Sequence, residues 1–214
     1  MILYGSTVSP FVRKAVAFGV EKGIEFKIKP VGMRSTDEEF LAVSPFGKMP
    51  ALRDGDYTLA DSSAIIAYFD ALKPDPVLIP TDARGRGKAI WWDEFADTIF
   101  MAAGLKVFFN RVASPKFLKQ PGDEAVAARA AAEELPPLFD YLERSLPPSG
   151  WFVGDQLSLA DISVACGFAN LRYAGCDLQA ATHPKLHAFV EKMYARPAFA
   201  RSLEKEARFF ATLG

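Results

Sequence analysis

The sequence predicts an α/β N-terminal domain followed by an all-α C-terminal domain. Before about residue 80 the spacing of apolar residues changes repeatedly, as expected where short strands alternate with helices. Prolines then interrupt the chain at Pro74, Pro76 and Pro80, and nearly every later segment has the helical period. Half of the 214 residues are apolar (50%) and 24% are charged, which is enough to form two small cores without disulfides or metal.

The N-terminal domain is predicted to begin with a strand at residues 2–4, followed by a helix. Ser9 is a good N-cap and Pro10 suits the first helical position, so the helix starts there and ends at Gly23. Residues 26–29 alternate between apolar side chains and lysines. This alternation predicts a half-buried strand with Phe26 and Ile28 facing inward.

A short helix, a hairpin and a longer helix complete the predicted domain. Ser35 and Glu38 have capping-box spacing and open the short helix. Two short strands flank Asp54 and Gly55, a pair typical of two-residue hairpins. Asp61 then caps a helix with four apolar positions, Ile65, Ile66, Phe69 and Leu72. The order strand, helix, strand, helix, hairpin, helix is the layout of a thioredoxin-like domain.

Helices account for the rest of the chain. An apolar stripe over residues 89–105 predicts a helix with Asp93, Glu94 and Asp97 mostly outside the stripe, which consists of Trp92, Phe95, Ala96, Ile99 and Ala103. A second helix covers about residues 122–146, and its two consecutive prolines predict a kink or a break.

A capping box formed by Ser158 and Asp161 opens the next predicted helix, residues 159–173. No charged residue occurs between positions 162 and 171, so this helix is expected to run through the centre of the second core. Two shorter helices close the chain. The predicted limits are 1–76 for the first domain, 77–83 for a linker and 84–214 for the helical domain.

Charge and cysteine content exclude several classes of protein. Lys and Arg number 25 against 26 Asp and Glu, without the basic excess that nucleic-acid binding needs. No apolar segment is long enough for a membrane span, and no secretory signal is recognisable. The two cysteines, Cys166 and Cys176, lack metal or redox spacing, and we expect buried thiols in a cytoplasmic protein. His183 and His187 lack a third ligand nearby, so no metal site is expected.

Four local features together resemble the cytosolic glutathione transferases. They are residues 3–13 around Ser9-Pro10-Phe11, residues 44–52 (Ser-Pro-Phe-Gly-Lys-Met-Pro-Ala-Leu), the pair Asp61-Ser62, and the capping box at residues 158–161. The first feature most resembles the serine-type members, the tau-like plant enzymes and related bacterial ones. The resemblance covers the whole chain. It implies the glutathione transferase fold, glutathione as co-substrate, a small apolar electrophile as second substrate, and a homodimer.

The resemblance implies that Ser9 is the catalytic residue and holds the glutathione sulfur. A thiol with a pKa of about 8.5 needs roughly two units of depression to ionise at pH 7, about 2.7 kcal/mol. One charge-assisted hydrogen bond at a helix N-terminus contributes about 1.5–3 kcal/mol, which suffices. The alternative is that Ser9 is only a helix cap. Ser6 and Thr7 are second choices for the donor, while Tyr4 is expected in the core.

The same resemblance implies the residues that bind glutathione. Lys48 falls where relatives contact the glycine carboxylate, and Met49-Pro50 falls where relatives have a cis-proline that exposes the preceding backbone to the peptide. Asp61 and Ser62 are expected to receive the amine and the carboxylate of the γ-glutamyl end. As alternatives, Lys48 is an ordinary solvated lysine and Asp61 an ordinary N-cap. Arg34 and Lys14 match the family poorly.

The electrophile is expected to bind in a pocket whose apolar part the helical domain supplies. By position in the chain we assign this pocket to Phe11, Met101, Leu105 and Phe108. The reaction implied is attack of the glutathione thiolate on an apolar electrophile. Two alternatives are a non-catalytic binding protein that keeps the fold and a glutathione-dependent isomerase or ether-cleaving lyase.

Overall fold

A mixed four-stranded sheet forms the first half of the computed structural model, which describes residues 1–213. The strand order is β2-β1-β3-β4, with β1 parallel to β2 and antiparallel to β3, and with β3 and β4 forming a hairpin. The strands are β1 (Ile2–Tyr4), β2 (Lys27–Lys29), β3 (Ala51–Asp54) and β4 (Tyr57–Ala60), and the helices are α1 (Pro10–Glu21), α2 (Glu38–Val43) and α3 (Ser62–Leu72). This is the predicted thioredoxin-like layout.

Three local predictions in this domain were wrong in detail. The N-cap of α2 is Asp37, whose carboxylate accepts from the Phe40 amide, whereas the Ser35 hydroxyl accepts from the Asp37 amide in a turn before the helix. The predicted inward residue Ile28 is 37% exposed, because β2 is an edge strand. Asp54 pairs with Tyr57 in the hairpin, which makes the two turn residues Gly55 and Asp56.

Helices make up the second half. They are α4 (Ala83–Glu94), α5 (Met101–Phe108), α6 (Glu124–Arg129), α7 (Leu135–Ser145), α8 (Leu159–Tyr173), α9 (Pro184–Tyr194) and α10 (Pro197–Ala211). Among three π-helical segments, Phe95–Phe100 joins α4 to α5, Phe109–Phe117 extends α5, and Ala130–Glu134 joins α6 to α7. Residues 83–117 are therefore helical without a break. Within residues 1–213 no helix has both the length and the apolar character needed to cross a membrane. The domain limits stay a prediction.

The two consecutive prolines of this half interrupt the helix less than predicted. They follow the π-helical segment Ala130–Glu134 and lie in the first turn of α7, so the two missing amides fall where the helical pitch changes. The change of pitch therefore comes just before the prolines, and no gap separates the two helices.

Helix α8 is the centre of the helical core, as predicted. Every residue from Leu159 to Leu171 is buried, and the capping box of Ser158 and Asp161 is formed. The Asp161 carboxylate also accepts from the Phe152 amide at 2.8 Å, so it ties the preceding loop to the helix. Burial raises the pKa of Asp161 to about 6, against the opposing effect of these hydrogen bonds.

Buried ion pairs join α1 to the helical domain, and no sequence pattern predicted them. The Lys14 ammonium lies 2.7 Å from Asp93 and 2.6 Å from Asp97. Asp93, which was predicted outside the buried stripe, is 2% exposed and also accepts from the Ser63 and Ser163 hydroxyls. Ile99, which was predicted inside the stripe, is 48% exposed. The interface therefore buries charge where the periodicity indicated a polar outer face.

The cluster of Lys14, Asp93 and Asp97 predicts a pH dependence of stability. Burial raises the pKa of Asp97 to about 6; Lys14 opposes this rise and Asp93 adds to it. Because the folded protein then binds this proton more tightly than the unfolded chain, the contribution of Asp97 to the free energy of unfolding is greatest below about pH 4 and falls as the pH rises towards 6.

Asp97→Asn removes this dependence. Measured by urea denaturation, the stability of the variant relative to wild type is expected to rise by about 1–2 kcal/mol between pH 4 and pH 7. A difference that stays constant over this range would contradict the raised pKa.

Candidate functional site

A cavity of about 1150 Å³ opens between the loops of the sheet domain and the helical residues 101–119. Seven residues predicted for the site line it: Ser9, Phe11, Lys48, Met49, Met101, Leu105 and Phe108. Most of the other lining side chains are apolar and come from the β2–α2 connection, from the π-helical segment Phe109–Phe117 and from the end of α10. Ser9, the predicted hydrogen-bond donor to the glutathione sulfur, and the predicted electrophile pocket therefore lie in the same cavity.

Ser9 is the N-cap residue of α1, but its side chain makes no capping hydrogen bond to any described residue. The backbone position is fixed at both ends, since the Ser9 amide donates to the Ser6 carbonyl at 2.9 Å and the Arg13 amide donates to the Ser9 carbonyl at 2.9 Å. A hydroxyl released from capping can donate to a ligand in the cavity. The positive end of the α1 dipole at the same point favours an anion.

The competing donors are placed differently. Tyr4 is fully buried in a small core with Phe40, and its hydroxyl donates to Glu39, as expected for a core tyrosine. Ser6 lines the cavity, and its hydroxyl accepts from the Val8 amide at 3.4 Å. Thr7 does not line the cavity. Ser6 is therefore the remaining side-chain competitor among the residues weighed for the donor, and Tyr4 is excluded by its position.

Asn170 of α8 supports the loop that carries Ser9, a contact that no sequence motif predicted. Its side-chain amide donates to the Val8 carbonyl at 2.8 Å, and its side-chain oxygen accepts from Arg13 at 2.8 Å. Arg13 is fully buried and also donates to the Cys166 carbonyl and to both carboxylate oxygens of Glu206. An asparagine within an otherwise apolar helix was the available signal.

Lys48, Met49 and Pro50 follow a loop that one hydroxyl closes. The Ser44 hydroxyl accepts from the Lys48 amide at 3.0 Å and donates to the Lys48 carbonyl at 2.7 Å. The Met49–Pro50 bond is cis, as predicted, and Asp75–Pro76 is cis as well. Lys48 and Met49 line the cavity, whereas Pro50 is buried beneath it and its carbonyl accepts from the Asp61 amide at 3.3 Å.

Asp61 and Ser62 do not line the cavity, although the Asp61 amide contacts Pro50, the residue after Met49 of the cavity wall. Asp61 is the N-cap of α3, with a positive φ of 89°. One carboxylate oxygen, Oδ1, accepts from both the Ser63 and Ala64 amides, and Oδ2 accepts no hydrogen bond within the described residues. Capping therefore uses half of the carboxylate, and the other half is available to a cation.

The apolar half of the cavity is larger than predicted. Besides the four residues assigned from position, it includes Phe109, Phe117, Leu118, Phe209 and Leu213. Phe117 contacts Phe209 and Phe210, with ring centroids 5.9 and 6.0 Å apart, so α10 closes this side. Nothing local in the sequence pairs residue 117 with residue 209.

His183, which was weighed as a metal ligand, is engaged elsewhere. It is the N-cap of α9; one ring nitrogen lies 3.0 Å from an Asp140 oxygen and the other 2.9 Å from the Thr182 hydroxyl. Within residues 1–213, His, Cys, Asp and Glu side chains form no group of three that could hold a metal ion.

Comparisons with known proteins agree with this architecture. Residues 3–77 match the family model of the glutathione S-transferase N-terminal domain, and residues 107–206 match that of the C-terminal domain. A glutathione S-transferase of Hyoscyamus muticus is 30% identical over 209 residues, which cover 95% of this chain and 98% of the relative.

Two solved structures share the fold over most of their length. A glutathione S-transferase of Rhodospirillum rubrum superposes with a TM-score of 0.84 at 25% identity, covering 92% of this chain and 89% of that one. A glutathione S-transferase-I bound with lactoylglutathione superposes with a TM-score of 0.81 at 25% identity, covering 95% and 98%. The chain therefore belongs to the glutathione S-transferase family and is an enzyme, a glutathione transferase.

Proposed function

We propose that the protein conjugates glutathione to small apolar electrophiles, with Ser9 donating a hydrogen bond to the glutathione thiolate. The observation that carries this proposal is the Ser9 hydroxyl, uncapped within the described residues, on the wall of a largely apolar cavity. The new bond joins the glutathione sulfur to the electrophilic carbon, the leaving group departs with the bonding electrons, and the thiol proton passes to solvent. This makes the enzyme a serine-type transferase; its assignment to the tau-like members stays a prediction.

A conjugation assay tests the proposal directly. The protein is expected to bind immobilised glutathione and to convert an aryl halide such as 1-chloro-2,4-dinitrobenzene, followed by absorbance of the conjugate. Retention on glutathione without conversion of the aryl halide would contradict the reaction and favour a non-catalytic binding protein. Loss of conversion in Ser9→Ala would support Ser9 as the donor.

Glutathione is proposed to lie along the sheet-domain side of the cavity. Lys48 would contact the glycine carboxylate, and the Met49 backbone would pair with the peptide at the turn before Pro50. Asp61 would receive the γ-glutamyl amine on Oδ2, which is not used in capping, and Ser62 at the start of α3 would receive the γ-glutamyl carboxylate. A structural relative bound with lactoylglutathione supports glutathione as the ligand.

Asp61→Ala is expected to weaken glutathione binding about tenfold, because the loss of a hydrogen bond between charged groups costs about 1–3 kcal/mol. The loss is measured by titration calorimetry. Asp61 is also a helix cap, so Asp61→Asn serves as the matched variant: it keeps a capping oxygen but removes the charge. Affinity lost in both variants assigns the loss to the charge. Affinity kept in Asp61→Asn would mean that Asp61 only caps α3.

A homodimer is also proposed. Large apolar side chains remain exposed on the single chain, most of all Phe46 at 90%, with Leu72 of α3 and Trp91 of α4 at 50% and 42%. Association of two copies would cover such surface. Sedimentation at micromolar concentration is expected to give twice the mass of the chain, and Phe46→Lys is expected to shift the equilibrium towards the monomer. A single-chain mass for wild type would contradict the dimer.

The cytoplasm is proposed as the compartment. Cys166 is buried and Cys176 half-buried, and both are free thiols in the described residues. Burial raises the pKa of both thiols, which keeps them unreactive. Free thiols of this kind are typical of proteins in reducing compartments.

A further inference from the structure

The charged side chains on the cavity wall are all of one sign. Among the described residues that line it, five are basic and none is acidic: Arg34, Lys48, Lys106, Lys116 and Lys119. The whole chain has 25 basic and 26 acidic residues, so composition does not account for this bias. A low-dielectric cavity bordered by one sign of charge attracts ligands of the opposite sign.

The five cations fall into two groups on opposite sides of the cavity. Arg34 and Lys48 belong to the sheet domain, on the side assigned to glutathione. Lys106, Lys116 and Lys119 belong to the helical domain, on the side assigned to the electrophile. Glutathione has its own carboxylates near the first group. An uncharged apolar substrate would not require positive charge on the side of the second group.

Within the second group, Lys119 is the best placed for an anionic ligand. Lys106 is already paired with Glu134, at 2.7 Å. Lys119 is exposed, and it follows the apolar wall residues Phe117 and Leu118 directly. Its backbone has a positive φ of 55°, and no hydrogen bond or ion pair of its side chain occurs within the described residues. A ligand in contact with this wall would place its charged end beside Lys119, where that charge stays hydrated.

We infer that the electrophile is an amphipathic anion, an aromatic or otherwise apolar body with a carboxylate or sulfonate at the end that meets Lys119. The inference rests on the proposed conjugation reaction and adds the charge of its substrate. The apolar body contacts Phe117 and the aromatic side chains beside it, and the anion stays at the rim of the cavity. For an aryl chloride, the carbon–sulfur bond forms, the carbon–chlorine bond breaks, chloride leaves with the electron pair, and the thiol proton goes to solvent.

The test uses a matched pair of aryl chlorides, 4-chloro-3-nitrobenzoate and its methyl ester, with glutathione saturating. The ester is intrinsically more reactive, so the informative quantity is the ratio of kcat/KM for the two compounds compared between variants. Lys119→Met is expected to lower kcat/KM for the benzoate about three- to tenfold and to leave the ester within about twofold, the effect of one partly solvated charge. Raising the salt concentration is expected to lower the benzoate-to-ester ratio of kcat/KM of wild type, as Lys119→Met does.

Lys205→Met is the matched control, because Lys205 is an exposed lysine of α10 outside the cavity lining and the substitution changes the net charge equally. Thermal unfolding of each variant checks that the fold is kept. An unchanged benzoate-to-ester ratio in Lys119→Met, or an equal change in Lys205→Met, would overturn the inference.

Binding of the two S-aryl glutathione conjugates separates the inference from the proposed reaction. Calorimetry is expected to show a Kd for the carboxylated conjugate that is about three- to tenfold higher in Lys119→Met than in wild type, the effect of one charge. The Kd for the ester conjugate is expected to be unchanged. If wild type converts neither chloride but Lys119→Met still binds the carboxylated conjugate more weakly than wild type does, the proposed reaction is wrong and the anion site is supported. If wild type converts both chlorides and Lys119→Met binds the carboxylated conjugate as tightly as wild type does, the reaction is supported and the anion site is wrong.

Discussion

Ser9→Ala is expected to lower kcat for an aryl halide about ten- to a hundredfold at neutral pH, the equivalent of one to two units in the pKa of bound glutathione. Glutathione affinity is expected to stay within a few-fold, because the groups assigned to its charged ends lie elsewhere. The hydroxyl makes no capping bond within the described residues, so its removal costs α1 little and the loss reports on the thiolate.

A pH–rate profile distinguishes this role from a structural one. Without the donor the bound thiol ionises at higher pH, so the activity of Ser9→Ala is expected to recover partly as the pH rises. Ser6→Ala is the companion variant, because Ser6 also lines the cavity. Profiles of Ser9→Ala and wild type that superimpose would mean that the Ser9 hydroxyl does not act on the thiolate. A shift seen in Ser6→Ala alone would move the donor to Ser6.

Glu206→Leu is expected to lower the free energy of unfolding by about 3–5 kcal/mol, because it leaves a buried guanidinium without its counter-charge. Arg13 is fully buried and its side chain meets Glu206 at 2.7 Å, where Glu206 also accepts from the Tyr173 hydroxyl at 3.0 Å. Burial lowers the pKa of Arg13, but Glu206 outweighs burial and the net direction is upward. The ordinary pKa of a guanidinium is so high that its charge persists at neutral pH even when Glu206 is removed.

Two further variants test this explanation. Arg13→Met combined with Glu206→Leu is expected to recover more than half of the lost stability, since no unpaired charge remains. Glu204→Leu, on the same helix, removes an exposed pair with Arg208 and is expected to cost less than about 0.5 kcal/mol. Stabilities are measured by urea denaturation. A double variant no more stable than Glu206→Leu would show that lost hydrogen bonds, and not the stranded charge, cause the effect.

Elements with a local chemical signal were predictable from the sequence. The Ser158 capping box and the uncharged interior of α8 predicted the start, the length and the burial of that helix. Asp93 was misplaced because periodicity treats every carboxylate as outward-facing, whereas its burial depends on Lys14, which lies 79 residues away along the chain. Pairing over such distances has no local pattern.

The same distinction applies to the site. Ser9, Lys48 and Met49 were found from short motifs, and all three line the cavity. Phe209 was missed because it reaches the cavity from α10, at the far end of the chain, and Asn170 because its function depends on a carbonyl 162 residues away. Asp61 carries a motif but lies outside the cavity wall, where capping already explains one of its two oxygens.

The hydrogen bond from Asn170 to the Val8 carbonyl limits how this enzyme can be divided or recombined. The loop before α1 is part of the sheet domain in sequence, yet an amide from the last turn of α8 holds its shape. A chimera that joins residues 1–76 to an unrelated helical partner would keep the sheet-domain side of the cavity and lose the hydrogen bond that anchors the loop before Ser9. A chimera with an exchanged helical domain therefore needs to retain Asn170 and the residues around it. The residues that hold the active site in place extend beyond the domain that contains Ser9.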